Sequence, residues 1–257
     1  LNRCADWIEQ SFREAGGRTS NQVYTAAGRK FRNVIARFGP EQGPLVVVGA
    51  HYDSFGRMPA ADDNASGVVG LIELARLFSR NTPQIPVEVV AYSNEEPPFF
   101  ASSDMGSAHH ARGIKAAGVE VRAVIVLEMI GYFSDEPGNQ SYPMAFLRLF
   151  YPNKGNYIAV VGSFGQTRLV RRIKWAMRGA TDLPVRSINA PAIVPGVDFS
   201  DHRSYLDVGF AAVMVTDTAF YRNRVYHTAD DTPDRLDYNR MAKVVMGVYE
   251  AVLAIGL

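Results

Sequence analysis

Asn94-Glu95-Glu96-Pro97 places two carboxylates side by side at the end of an apolar run, residues 87–90 extended by Ala91-Tyr92. In extended chain, successive side chains point to opposite faces. One carboxylate can therefore hold a metal while its neighbour faces a substrate. A hydrolase that activates water on a metal needs that division into one ligand and one proton carrier. An acidic pair alone is more often a solvated strand end, so the weight of this one comes from His51, Asp53, Asp63 and His227. Two histidines and several carboxylates with no cysteine nearby suit a hard-to-borderline metal, zinc first, with cobalt or manganese as substitutes. A carboxylate shared between two such ions would make a co-catalytic site.

The elements that must position these residues follow from hydrophobic periodicity. Cys4, Trp7, Ile8 and Phe12 recur at helical spacing, and Gly16-Gly17 ends the run. Two β-prone runs flanking Gly28 between Asn21 and Phe38 predict a hairpin or a pair of edge strands. Short continuous apolar runs at 45–48, 87–92 and 123–127 predict strands buried on both faces. They deliver His51 and Asp53, then Glu95 and Glu96, then Glu128 at their carboxyl ends. Further strands are predicted at 157–161 and 210–215. Helices are predicted at 68–78, at about 105–116, at 167–178 and at 236–255. Residues 134–143 and 190–201 read as loops. Asp63 falls at the amino end of the 68–78 helix. Strands alternating with helices predict an α/β fold: a single domain over 1–257, a mostly parallel central sheet and helices on both faces. In such folds ligands bind beyond the carboxyl ends of the strands, where three separate strands place acids and a histidine.

Composition sets the bounds. The 257 residues are 47% hydrophobic and 21% charged, which suits a globular domain with a substantial core. A formal net charge of +1 gives no electrostatic case for nucleic acid or an anionic membrane as main partner. No apolar run is long enough to span a bilayer. Cys4 is the only cysteine, so no intrachain disulfide forms. The chain opens inside a helical pattern and reads as a trimmed or processed product, which leaves room for a lost signal peptide. Arg168, Arg171, Arg172, Lys174 and Arg178 share one predicted helix and read as a solvated face.

Segments 49–54, 62–67, 93–97, 127–131, 199–202 and 226–228 occur in an order that resembles the M28 family of zinc aminopeptidases. The resemblance covers nearly the whole chain. It implies a peptide or aminoacyl substrate, two zinc ions per chain, and roles residue by residue. His51 resembles the ligand of one zinc, and Asp53 the acid that orients it. Asp63 resembles the bridging carboxylate, with Asp62 its nearest rival, and its peptide bond to Asn64 resembles a cis bond common in the family. Glu95 resembles the general base. Glu96 and His227 resemble ligands of the other zinc, and Tyr226 a group that stabilises the oxyanion. Glu128 stands where the family's aminopeptidases commonly carry Asp, so the site it shares with His51 and Asp63 is expected to be the weaker. Glutaminyl cyclases of the same fold, and non-catalytic relatives, are the alternative readings. The resemblance favours an exported protein, periplasmic or extracellular, while compartment and oligomeric state stay open. Asp201 and His202 are expected to fix their loop by hydrogen bonds, and His109, His110 and Cys4 to be structural or exposed. Phe99, Tyr205, Phe220 and Tyr221 are pocket candidates, though an aromatic picked this way is core more often.

Overall fold

Valine and alanine runs with no polar interruption form strands that need cover on both faces. The computed structural model, which describes residues 1–256, gives them that cover. A hairpin opens the sheet, with β1 (Arg18–Ala26) and β2 (Arg29–Phe38) turning at Ala27-Gly28, both at positive φ. The sheet continues with β3 (Leu45–His51), β4 (Val87–Tyr92), β5 (Val121–Glu128), β6 (Ile158–Gly162), β7 (Val185–Asn189) and β8 (Ala212–Thr216). The spatial order is β1-β2-β4-β3-β5-β8-β6-β7. The central strands β4, β3, β5 and β8 run parallel, as do β6 and β7, while β1–β2, β2–β4 and β6–β8 pair antiparallel. The fold is thus a single α/β domain on a mixed, mostly parallel sheet.

Helices α1 (Asn2–Glu14), α2 (Gly67–Arg80), α4 (Thr167–Ala180) and α6 (Tyr238–Gly256) contribute to the larger core, which includes Phe12, Leu71, Phe78, Ile125, Ile173 and Val248. Helices α3 (Gly106–Ala116) and α5 (His202–Asp207) cover a smaller cluster around Tyr92, Val126 and Tyr205. Within the described residues, no helix is long and apolar enough to cross a membrane.

The pattern-based reading missed β7 and α5. β7 carries Arg186, Ser187 and Asn189 and lies at the sheet edge with half-exposed side chains, so it lacks an apolar run. α5 has six residues, too short to show a period. The acidic pair also sits differently from expectation. β4 stops at Tyr92, and Asn94 turns the chain at φ +65°, a conformation Asn tolerates better than most residues. Glu95 and Glu96 therefore diverge from a turn and not from extended strand.

Candidate metal centre

Four elements converge at the carboxyl edge of the parallel strands. His51 ends β3 and is fully buried. Its Nδ1 lies 3.2 Å from the Asp53 carbonyl oxygen. A carbonyl only accepts, so Nδ1 carries a proton, and in the neutral imidazole Nε2 is then left with a bare lone pair for a metal. That Nε2 faces Asp63 Oδ1 at 3.4 Å, Glu128 Oε1 at 3.5 Å and Glu95 Oε2 at 3.9 Å. On the other side, His227 Nε2 faces Asp63 Oδ2 at 3.0 Å and Glu96 Oε1 at 3.3 Å. Asp63 thus turns one oxygen to each histidine. The ligand atoms form two groups, His51–Asp63–Glu128 and Asp63–Glu96–His227, each with its donor atoms within 4.8 Å of one another.

The donor atoms are short of partners. His51 Nε2, Asp63 Oδ2, Glu96 Oε1 and His227 Nε2 are buried and make no hydrogen bond within the protein. Buried polar atoms are rarely left so, and four around one carboxylate fit a cation on each side of it. Charge says the same: four carboxylates, those of Asp63, Glu95, Glu96 and Glu128, crowd two imidazoles. Burial drives the Glu95 carboxyl well above its ordinary range, with His51 opposing and Glu128 adding to it. Burial likewise lifts Glu128. Burial would also raise Asp63, but His227 and His51 hold it down at about 2. His227 is pushed to about 9, burial opposing and the facing Asp63 and Glu96 carboxylates prevailing.

The loops are held by carboxylates that grip backbone amides. Asp53 accepts the Glu95 N–H at 3.1 Å on one oxygen and the Glu96 N–H at 3.0 Å on the other. Its carboxylate thus fixes the acidic pair, while its carbonyl orients His51. Asp231 does the same for the 61–66 turn, accepting the amides of Asp62 and Asp63 at 3.0–3.2 Å. Asn64 joins that turn to β5: its Nδ2 donates to the Leu127 carbonyl at 2.9 Å and its Oδ1 accepts the Met129 N–H at 3.1 Å. The Asp63–Asn64 peptide is cis, as expected; Pro97–Pro98 is cis too. Asp62 points away from the histidines and takes the Gly131 N–H at 3.0 Å and the Asn223 amide at 2.9 Å.

Glu128 ends β5, and Ser200 donates to its Oε2 at 2.6 Å. His202 fixes its loop through Nε2 and the Val197 carbonyl at 2.8 Å, as expected. Asp201 departs from expectation: it is fully buried and neither oxygen has a hydrogen-bond partner. Burial lifts it to about 7, with His51 and the nearby Ser107 hydroxyl opposing. His110 is structural, bonded to Tyr205 at 2.6 Å and Glu88 at 3.1 Å, and Cys4 is exposed. Sequence reasoning missed Asp231 and Ser200. The only trace of Asp231 is its place one helical turn's distance beyond His227, and a lone serine carries no signal.

Beside Glu128 and Tyr226 opens a cavity of about 860 Å³, counting its mouth. Tyr142, Tyr151, Tyr157, Phe199, Phe220 and Tyr221 supply much of its wall. Four of its tyrosine hydroxyls are spent on the protein, that of Tyr226 excepted. Tyr142 donates to the Pro152 carbonyl, Tyr151 to Ser187 and Tyr221 to Pro195, and the Tyr157 hydroxyl bonds to that of Tyr142 at 3.1 Å. Of the expected pocket aromatics, Phe220 and Tyr221 line this cavity; Tyr205 is core, and Phe99 lines a separate open groove.

An α/β sheet with two paired-donor groups at its strand ends defines a candidate metallohydrolase. The model for Peptidase family M28 matches residues 33–252, and the chain belongs to that family. It is 47% identical over 256 residues to the uncharacterized protein YfbL of Escherichia coli (strain K12), covering 96% of this chain and 78% of that one. It is 29% identical over 221 residues to the probable aminopeptidase YDR415C of Saccharomyces cerevisiae, covering 79% and 52%. Among solved structures it resembles LapB from Legionella pneumophila with a TM-score of 0.77 and 22% identity, over 99% of this chain and 65% of that one. The chain thus spans about half to two thirds of the length of these last two.

Proposed function

We propose that this chain is a single zinc-dependent peptidase domain that removes an amino-terminal residue from a peptide or aminoacyl compound. The observation that carries the proposal is the set of four buried, unpartnered donor atoms arranged as two groups about Asp63. His51, Asp63 and Glu128 would hold one zinc, and Asp63, Glu96 and His227 the other. Bound zinc supplies a Lewis acid for the scissile carbonyl and lowers the pKa of water toward neutrality.

The protein's own groups do the rest. Glu95 is the proton carrier: its carboxylate lies 3.9 Å from His51 Nε2, and its backbone is fixed by Asp53. A carboxyl raised well above its usual range is matched to taking a proton from water and returning it to the leaving amine. Tyr226 stacks on His227 at 3.7 Å between ring centroids, and its half-buried hydroxyl is positioned to donate to an oxyanion. The surplus of carboxylate suits a free ammonium group on the substrate. The aromatic cavity accepts a large apolar side chain, because its wall is mainly rings and the hydroxyls of Tyr142, Tyr151, Tyr157 and Tyr221 are already engaged.

The test is a panel of aminoacyl and N-blocked peptide substrates, with chelator and with zinc restored. Cleavage of free-amine substrates, abolished by chelator and recovered with zinc, is expected, with N-acetyl substrates left intact. Release of ammonia from an amino-terminal glutamine peptide without any free amino acid would replace this reading with the cyclase one.

A further inference from the structure

The charges of α4 are not balanced where they stand. Arg168, Arg171, Arg172, Lys174 and Arg178 share this 14-residue helix with no acidic residue. Among the described residues none of the five makes an ion pair. At about 100° per residue, Arg178, Arg171, Arg168 and Arg172 span an arc of about 120°, with Trp175 at its centre. The opposite side carries the buried Val170, Ile173 and Met177. Trp175 is 65% exposed and Phe164, just before the helix, is 66% exposed. The Arg178 guanidinium lies 5.2 Å from the Trp175 ring centroid. Flanking charges do little to neutralise the face: Arg186 on β7 adds to it, Lys243 of α6 is paired with Asp182 at 2.6 Å, and Glu250 is the one acid on α6. Burial, Arg178 and Arg186 together hold Lys174 below the usual lysine range, as expected of crowded cations. A net charge of +1 for the whole chain conceals this local excess.

We propose that the α4 face, Arg168, Arg171, Arg172 and Arg178 around Trp175 with Phe164 at one end, docks the protein on an anionic phospholipid surface. Basic side chains beside an indole match the anionic headgroup and the interfacial layer beneath it. Other occupants fit less well. A second copy would set cation against cation. Single-stranded nucleic acid needs a groove that tracks its backbone, whereas these cations share one exposed face of a single helix. A duplex major groove, about 12 Å wide, cannot admit α4, because α6 packs alongside it and Arg172 donates to the Ala254 carbonyl across the pair.

The experiment is vesicle co-sedimentation of the full chain, using phosphatidylcholine alone and phosphatidylcholine with about one third phosphatidylglycerol. Binding to the anionic vesicles only, weakening as salt shortens the Debye length, is expected. Arg168→Gln with Arg171→Gln should lower partitioning roughly twenty-five-fold, a factor of about five per cation. The corresponding double lysine variant should retain binding. Trp175→Ala should lose severalfold with the charges intact. Peptide hydrolysis in solution should be unchanged in all three. No binding to anionic vesicles, equal binding by the glutamine variant, tighter binding of an oligonucleotide than of vesicles, or a dimer in solution abolished by the glutamine variant would each overturn the proposal.

Discussion

The two donor groups about Asp63 are built by different means. The His51 group stands on strand ends: His51 closes β3, Glu128 closes β5, and the His51 side chain has no exposure. The His227 group stands on loops. Glu96 follows the Asn94 turn, and His227 adopts φ +58° with its ring stacked on Phe55 at 4.1 Å and on Tyr226 at 3.7 Å. Its side chain is 22% exposed. In the first group the sheet sets the backbone and the side chains do the reaching. In the second, Asp53 and Asp231 set the backbone by gripping amides. The strand-borne half is rigid, held by the sheet, and its histidine is dry, while the loop-borne half opens to solvent at His227.

Glu95 stands 3.9 Å from His51 Nε2 and directly precedes Glu96, and its removal gives the largest effect. Glu95→Gln keeps size but cannot take a proton, so turnover should fall about 10²–10⁴-fold with zinc content unchanged by metal analysis. Activity within tenfold of wild type would remove Glu95 from that role. The two histidines then separate the halves. His51→Ala and His227→Ala should each lose one zinc equivalent. In metal-free protein, urea unfolding should show a cost of about 3 kcal/mol for His51→Ala, which strands buried carboxylates. For the partly exposed His227→Ala it should be ~1 kcal/mol or less. Equal costs would mean that the contrast between the halves is not energetic.

The same contrast explains what could be read from the sequence. Apolar runs ending in His51 and Glu128 announce both strands and the edge where they stop, because burial on two faces leaves an unbroken hydrophobic signal. The loop half leaves no such signal. His227 was reached only through family resemblance, and nothing periodic marks Asp231 or Ser200. Asp53 was expected to be the acid that orients His51; its carboxylate stands 3.6 Å from the ring nitrogen and grips two amides, while its carbonyl lies nearer the ring at 3.2 Å. Backbone-gripping carboxylates depend on loop geometry, which hydrophobic pattern does not encode.

Those carboxylates give the next effect in size. Asp53→Asn and Asp231→Asn each replace an acceptor oxygen with an NH₂ facing an amide N–H, which repels where it had bonded. Each should cost about 10–100-fold in rate or zinc affinity, as supports of ligands do. Asp53→Asn should misplace Glu95 together with Glu96 and so lower kcat. Asp231→Asn should displace Asp63 and weaken both zinc sites together in a titration of metal-free protein. Two unchanged sites in Asp231→Asn would show that Asn64 holds the turn without it.

The smallest effect concerns Glu128, and it tests whether the rigid half is also the tighter one. The sheet fixes the backbone at Glu128, so only the side chain adjusts. One carboxylate oxygen accepts the Ser200 hydroxyl at 2.6 Å, and the other stands 3.5 Å from His51 Nε2. The hydroxyl competes for electron density that a zinc ion would otherwise receive, and Zn–O bonds of about 2.0–2.2 Å leave little slack. The rigid half should therefore bind zinc more weakly than the loop half, despite its burial. Glu128→Asp withdraws the carboxylate by about 1.3–1.5 Å and breaks the Ser200 bond, which should tighten the weak site severalfold. Ser200→Ala should tighten it in the same direction by a smaller factor, with the arm length unchanged. Zinc titration of the metal-free wild type and both variants reads the order directly. Two equal sites in the wild type, or weakening in both variants, would show that Ser200 orients Glu128 for the metal and does not compete with it.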